Sequence, residues 1–135
     1  MVTNRAVNNI IRIPASLSTN FFRAWVEILT PLHNLCNREK DVLAALLKAR
    51  FELSKEISDQ SILDRVTLSE ETREKVQKET GVSKGFYQVI LGNLRKAKII
   101  DKNGINKKLI PKDLNPTDVS FQLVFYFDLD AGDIK

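Results

Sequence analysis

The alternation of apolar and polar side chains is clearest over residues 38–55, where apolar positions recur every three or four residues. This spacing is typical of a helix with one buried face. The apolar positions are Val42, Leu43, Ala45, Leu46, Ala49 and Leu53, with Phe51 beside them. The positions expected to face water are Arg38, Glu39, Lys40, Asp41, Lys48 and Glu52. The pattern predicts a long amphipathic helix that Asn37 can cap.

Two shorter helical patterns flank this one. The apolar residues Phe22, Trp25, Ile28 and Leu29 are three or four positions apart, which predicts a helix that begins near Ser18 or Thr19. Thr30 precedes Pro31, so this helix is expected to break or kink there. Residues 57–66 are expected to hold another short helix.

A glycine and a serine separate two helices in the second half of the chain. The helix predicted over residues 70–80 ends at Gly81, and Ser83 is placed to cap a following helix of about three turns. Glycine just past a helix end and serine just before the next helix are typical of a tight turn between two helices.

Shorter apolar runs predict strands. Residues 10–13 form one such run, which ends before a proline. Asn103 and Gly104 separate the runs 99–102 and 105–110. An Asn-Gly pair favours a type I′ hairpin turn, because both residues tolerate a positive φ angle.

Residues 119–128 have the strongest strand pattern of the chain. Phe121, Leu123, Phe125 and Phe127 fall on one face, and Gln122, Val124 and Tyr126 fall on the other. Because both faces are largely apolar, this strand is expected to be central in a sheet or covered by a partner. The acidic tail with Asp128, Asp130 and Asp133 is expected to be mobile, and the polar residues 1–9 are expected to be loose.

The order helix, turn, helix and hairpin over residues 38–110 resembles the winged helix-turn-helix superfamily. The shared features are the small turn, the Ser83 cap, the apolar Ile90, Leu91 and Leu94, and a basic exit through Arg95 and Lys96 into Ile99 and Ile100. The length of 135 residues predicts a single domain, residues 1–135, and the resemblance implies an α+β fold. Its winged-helix core at 38–110 would carry an extra N-terminal strand and helix and a C-terminal β-strand.

Charge and composition agree with a folded domain that could meet nucleic acid. Of the 135 residues, 43% are hydrophobic and 28% are charged, which excludes disorder, and the net charge is +4. The basic side chains concentrate in residues 95–112, where Asp101 is the single acidic residue. They are Arg95, Lys96, Lys98, Lys102, Lys107, Lys108 and Lys112.

The superfamily resemblance implies a small DNA-binding protein of the kind that phages and plasmids use in regulation or replication. It places Ser83, Lys84, Gln88 and Asn93 near the bases of double-stranded DNA. It places Arg95, Lys96, Lys102, Lys107 and Lys108 near the sugar-phosphate backbone. The outer face of the second helix also carries Gly85, Val89 and Gly92, which cannot read base edges. Binding is therefore expected to be mostly electrostatic and weakly selective for sequence.

The same apolar groups favour an alternative, in which a phage virion or assembly component uses the winged-helix scaffold for protein contacts. The expected interface residues are Phe86, Val89, Phe121, Leu123 and Phe125. At least one of these surfaces is expected to be covered by another protein chain, which could be a second copy.

Residue types that carry catalysis are sparse. His33 and Cys36 are the single histidine and the single cysteine, which is too few for an ordinary zinc site. His33 is expected at a helix end or on the surface, and Cys36 in the core. The sequence has neither a Walker phosphate loop nor a G-x-G-x-x-G motif. It therefore predicts a non-enzyme without metal, cofactor or small-molecule substrate.

Apolar runs are also too short for a membrane span of about 20 residues. The first nine residues do not resemble a signal peptide. The expected location is the cytoplasm, meaning the host cytoplasm or a virion if the protein is of phage origin.

Overall fold

Residues 9–129 are described by a computed structural model, and within them six α-helices and one two-stranded antiparallel sheet give an α+β architecture. The helices are α1 Phe21–Ile28, α2 Thr30–His33, α3 Asn37–Ser54, α4 Gln60–Thr67, α5 Glu70–Thr80 and α6 Lys84–Lys96. The strands are β1 Ile100–Asp101 and β2 Gly104–Ile105, followed by a 3₁₀ turn at Lys107–Leu109. The predictions for residues 1–8, Asp130 and Asp133 lie outside the described residues. No helix in the described part of the chain has the length and apolar character that crossing a bilayer requires.

Helix α3 lies at the centre of the fold and contacts α1, α4, α5 and α6. These four helices cover the middle of α3 from several directions, so residues on every side of it are buried. The buried run 42–47 therefore includes Ala44 and Leu47, which lie outside the predicted apolar face. The prediction that a single face of this helix is buried is too narrow.

Lys40 is buried, so the prediction that it faces water is wrong. Its ammonium donates a hydrogen bond to Glu27 of α1, with Nζ and Oε2 separated by 2.9 Å. Arg23 donates to the other oxygen of the same carboxylate at 2.8 Å. Hydrogen bonds from Arg23 and Lys40 lower the pKa of Glu27 to about 2. The partner that permits burial of Lys40 therefore comes from another helix.

The predicted break at Thr30 and Pro31 is confirmed, whereas the cap of α3 differs from the prediction. Pro31 lies in the first turn of the separate helix α2, where its missing N–H costs no hydrogen bond. The N-cap of α3 is Cys36 and not Asn37, which is already helical. The Cys36 N–H donates to the carboxylate of Glu39 at 3.0 Å, and this bond lowers the pKa of Glu39. Cys36 is exposed, so its prediction as a core residue is wrong.

The turn between α5 and α6 is confirmed at the predicted residues. Gly81 has a φ angle of 77° and its N–H donates to the Gln77 carbonyl at 2.7 Å. The Ser83 hydroxyl oxygen accepts a hydrogen bond from the Phe86 N–H at 3.1 Å. Val82 between them is buried, which fixes the turn against the core.

The hairpin is present, but its turn is one residue earlier than predicted. Asp101 pairs with Gly104, so the two turn residues are Lys102 and Asn103. The Asn103 N–H donates to the Asp101 carboxylate at 2.7 Å, which stabilises this turn. Gly104, at a φ angle of 105°, is the residue that needs the left-handed region.

The second strand of the hairpin is also shorter than the predicted run 105–110. It ends at Ile105, and Asn106 then accepts a hydrogen bond from the Lys108 N–H at 3.0 Å. This side-chain bond starts the 3₁₀ turn in place of a continued strand.

The predictions of strands at residues 10–13 and 119–128 are wrong. Neither segment pairs with another in the described residues, and both lack regular secondary structure. The first aromatic residue of the second segment, Phe121, packs against Phe21 and Trp25 of α1 with both ring centroids 5.8 Å away. The residues after it are exposed. A period-2 pattern predicts an extended chain, whereas a strand also needs a partner edge.

Candidate nucleic-acid interface

Helix α6 buries the face that its apolar spacing predicts and exposes the other. Tyr87, Ile90, Leu91 and Leu94 are buried. The exposed face carries Lys84, Gln88, Val89 and Asn93, and the helix contains no acidic residue. This exposed face is the one that would meet a nucleic acid.

The four residues predicted to approach bases differ in availability. The Ser83 oxygen is occupied by the cap of α6. Asn93 donates its amide hydrogen to Glu39 of α3 at 2.9 Å, so its side chain holds α6 against α3. Lys84 and Gln88 are exposed, and neither side chain has a hydrogen-bond partner among residues 9–129. The available base-approaching pair is therefore Lys84 and Gln88.

Most of the predicted backbone-contacting cations are exposed and unpaired. Arg95 and Lys96 lie in the last turn of α6, Lys102 in the hairpin turn and Lys108 in the 3₁₀ turn. None of these four forms an ion pair within the described part of the chain. Lys107 differs, since its ammonium lies 2.7 Å from a carboxylate oxygen of Asp64.

Charge is strongly segregated along the chain around this surface. Residues 81–112 contain eight Lys or Arg and one acidic residue, Asp101. Two of these cations, Arg95 and Lys96, also complement the negative C-terminal end of the α6 dipole. The remaining cations lie outside that helix end, and Lys107 alone among the predicted backbone-contacting residues is paired with a carboxylate in the described chain.

A buried ion pair, which the sequence patterns did not reveal, positions the hairpin. Arg50 of α3 donates to Asp64 of α4 from Nε at 3.2 Å and from Nη2 at 3.0 Å. Gln60 accepts a further bond from Nη2 at 2.9 Å. The same Asp64 side chain faces Gly104 and holds Lys107. The available signal was Arg50 itself, a charged residue next to the predicted apolar face of α3.

The two glycines of α6 have no packing explanation. A Cβ atom built at Gly85 or at Gly92 would meet no heavy atom within 4 Å. Glycine inside a helix costs roughly 1 kcal/mol relative to alanine. Since the two glycines have this cost without a packing reason, the exposed face of α6 is consistent with a surface that another molecule approaches closely.

We expect Gly85→Ala and Gly92→Ala each to raise the free energy of unfolding by up to about 1 kcal/mol, because alanine restricts the unfolded chain and fits the helix. Urea unfolding followed by circular dichroism measures this change. Gly81→Ala is the matched control and should be destabilising, since Gly81 has a φ angle of 77°. A loss of stability in the two helical variants would mean that the glycines have a structural role within the monomer.

The predicted protein-interface residues lie on two different parts of the chain. Phe86 and Val89 are 43% and 56% exposed on α6. Phe121, Leu123 and Phe125 line a groove of about 470 Å³ together with α1 and the segment 9–15. Phe86 and Val89 lie on the exposed face of α6, where either a nucleic acid or a protein could contact them. The groove, in contrast, is lined mainly by apolar side chains.

The single histidine of the chain has structural partners. His33 ends α2 in a buried position, where its Nε2 lies 2.8 Å from the Val26 carbonyl and its Nδ1 accepts from the Leu35 N–H at 3.0 Å. Within residues 9–129, no group of three His, Cys, Asp or Glu side chains is arranged to hold a metal ion. The Tyr87 hydroxyl is buried without a partner among the described residues, and burial raises the pKa of Tyr87.

Comparisons with protein families, with curated proteins and with solved structures gave no match to this chain.

Proposed function

We propose that the protein is a small, non-enzymatic DNA-binding protein with a winged helix-turn-helix core over residues 38–110. In this proposal α3, α5 and α6 are the three core helices, α6 is the recognition helix, and the β1–β2 hairpin is a shortened wing. The Gly81 and Ser83 turn supports the proposal because it joins α5 to α6 with the local chemistry of a helix-turn-helix.

The observation that carries the proposal is the set of exposed cations from the end of α6 through the hairpin. Arg95, Lys96, Lys102 and Lys108 would contact phosphates, which is the sequence-independent source of most DNA affinity. Lys107 would contribute less, since Asp64 already compensates its charge. Few side chains could read bases, so selectivity would be weak.

Binding to a short duplex, measured by fluorescence anisotropy over a range of salt concentrations, tests the proposal. Four phosphate contacts give a log–log salt slope of about −3.6. Lys96→Ala combined with Lys102→Ala should weaken binding to all duplexes similarly and bring the slope to about −1.8. Neither residue has a hydrogen-bond partner in the described chain, so this double variant should lose no more than about 1 kcal/mol of stability, from Lys96 at the C-terminal end of α6.

Arg65→Ala combined with Lys75→Ala is the charge-matched control, because both cations are exposed, form no ion pair within residues 9–129 and lie outside residues 81–112. This control should retain the wild-type slope. An affinity independent of salt, or no binding at low salt, would contradict the proposal.

The exposure of Phe86 and Val89 favours a second candidate function, a phage virion or assembly component that binds protein through α6. Val89→Asp distinguishes the two functions. In the DNA-binding protein, Val89→Asp would weaken duplex binding because it places a negative charge beside phosphates. In the assembly component, it would abolish protein association and leave low-salt duplex binding unchanged.

A further inference from the structure

The C-terminal segment 119–129 lies over the apolar groove without being integrated into the fold. Alternate side chains, Phe121, Leu123, Phe125 and Phe127, line the groove beside α1. No hydrogen bond joins the backbone of residues 119–129 to any other residue that the structure describes. Such a chain has donors and acceptors available for pairing along its length.

The sequence of this segment has no feature that prevents pairing. Residues 119–127 contain no charge, no proline and no glycine. Natural proteins commonly use charges and prolines to protect exposed edges from association. The nearest charges in the sequence are Asp118 and Asp128, which lie just outside the apolar run on either side.

The pattern is also symmetric about Val124. In an antiparallel pair of two identical segments centred there, Phe121 would lie opposite Phe127 and Leu123 opposite Phe125. All four of these side chains are on the groove face, and Gln122 would lie opposite Tyr126 on the other face. Each copy therefore offers the other a matching set of apolar cross-strand pairs.

We propose that residues 121–127 pair antiparallel with the same residues of a second copy of this chain, with Val124 on the two-fold axis. The pairing supplies backbone hydrogen bonds to a segment that has none with the rest of the described chain. The resulting dimer has two copies of the cationic surface at the end of α6 and the hairpin. The proposed pairing does not depend on whether that surface binds DNA.

The exposed apolar area sets an upper limit on what such a dimer can bury. At about 200 Å² for a whole aromatic side chain, the exposed parts of residues 123–127 amount to roughly 600 Å² per copy. Complete coverage in two copies would bury about 1,200 Å², the lower limit of stable protein interfaces, so backbone hydrogen bonds between the strands have to supply part of the affinity. Ile11 and Ile13, which are exposed at the same groove, would extend the contact.

Site-specific disulfide formation tests the register. In a Cys36→Ser background, Val124→Cys should form a covalent dimer with oxidised glutathione, because residues paired with themselves lie about 4.5–5.5 Å apart at Cα, within disulfide range. Serine is a good N-cap, so removal of the exposed Cys36 should not disturb α3.

Gln122→Cys in the same background is the matched control. It is an exposed residue two positions away, and its copy in the partner would be four residues along the ladder, on the order of 13 Å distant. Gln122→Cys alone should stay monomeric under oxidation, and Gln122→Cys with Tyr126→Cys should cross-link. Equal cross-linking of the two single variants would overturn the proposed register.

Sedimentation of the untreated full chain tests the association itself. We expect a concentration-dependent species of twice 15.4 kDa. Val124→Lys should remove it by placing like charges on the axis, whereas Leu32→Lys should not, although the two side chains are similarly exposed at 62% and 65%. A wild-type chain that stays monomeric at high concentration, or a dimer that survives Val124→Lys, would overturn the proposal.

Discussion

Asp64→Ala is expected to lower the free energy of unfolding by about 3–5 kcal/mol, the typical cost of removing one partner from a buried ion pair. The Arg50 and Asp64 side chains are only 10% and 12% exposed. Without Asp64, the Arg50 guanidinium would keep Gln60 as its one acceptor among residues 9–129. An uncompensated buried charge, and not the lost attraction alone, accounts for the size of this effect.

Urea unfolding measures this loss, and two variants separate its causes. Lys107→Met removes the exposed partner of Asp64 and should cost no more than about 1 kcal/mol. Arg50→Leu combined with Asp64→Leu removes both buried charges and should cost less than Asp64→Ala alone. An Asp64→Ala loss below 1 kcal/mol would show that Arg50 reaches solvent or another acceptor.

Local signals predicted α5, α6 and the turn between them well. The Gly81 turn and the Ser83 cap of α6 depend on hydrogen bonds within five residues, which the sequence displays directly. The apolar spacing of α6 likewise identified its buried face. The overall winged-helix assignment stays a prediction, because it concerns how the elements pack together.

Long-range contacts decided the features that the sequence did not predict. Lys40 can be buried because Glu27, which lies 13 residues earlier on α1, compensates its charge. The segment 119–128 has the alternation of a strand, yet no partner edge lies beside it in the described chain. Side-chain periodicity contains no information about which segment will be adjacent.

Long-range contacts also limit how much of the candidate interface the sequence can predict. Exposure of Arg95, Lys96, Lys102 and Lys108 follows from their positions at helix ends and turns. Asn93 and Lys107 are instead held by acidic residues that lie 54 and 43 positions away in the sequence. Because Asn93 and Lys107 are held in this way, the proposed DNA contacts come mainly from the cations that have no partner in the described residues.

Gly104→Val is the second substitution with a large expected effect, a loss of roughly 2–5 kcal/mol. Gly104 has a φ angle of 105°, which a β-branched residue adopts only under strain. A Cβ atom there would also lie 2.9 Å from Cβ of Asp64, so the new side chain would displace the Asp64 carboxylate from Arg50. Backbone strain and damage to the ion pair would therefore act together.

Asn103→Ala is the control that identifies the turn. If Asn103 and Gly104 formed the turn predicted from the sequence, Asn103 would need a positive φ angle and alanine would be costly. In the structure the turn residues are Lys102 and Asn103, and Asn103 is absent from the positive-φ residues of the described chain. Asn103→Ala should then cost less than about 1 kcal/mol, because the hydrogen bond to Asp101 comes from its backbone N–H. Equal losses for Asn103→Ala and Gly104→Val in thermal and urea unfolding would contradict this hairpin geometry and favour the type I′ turn.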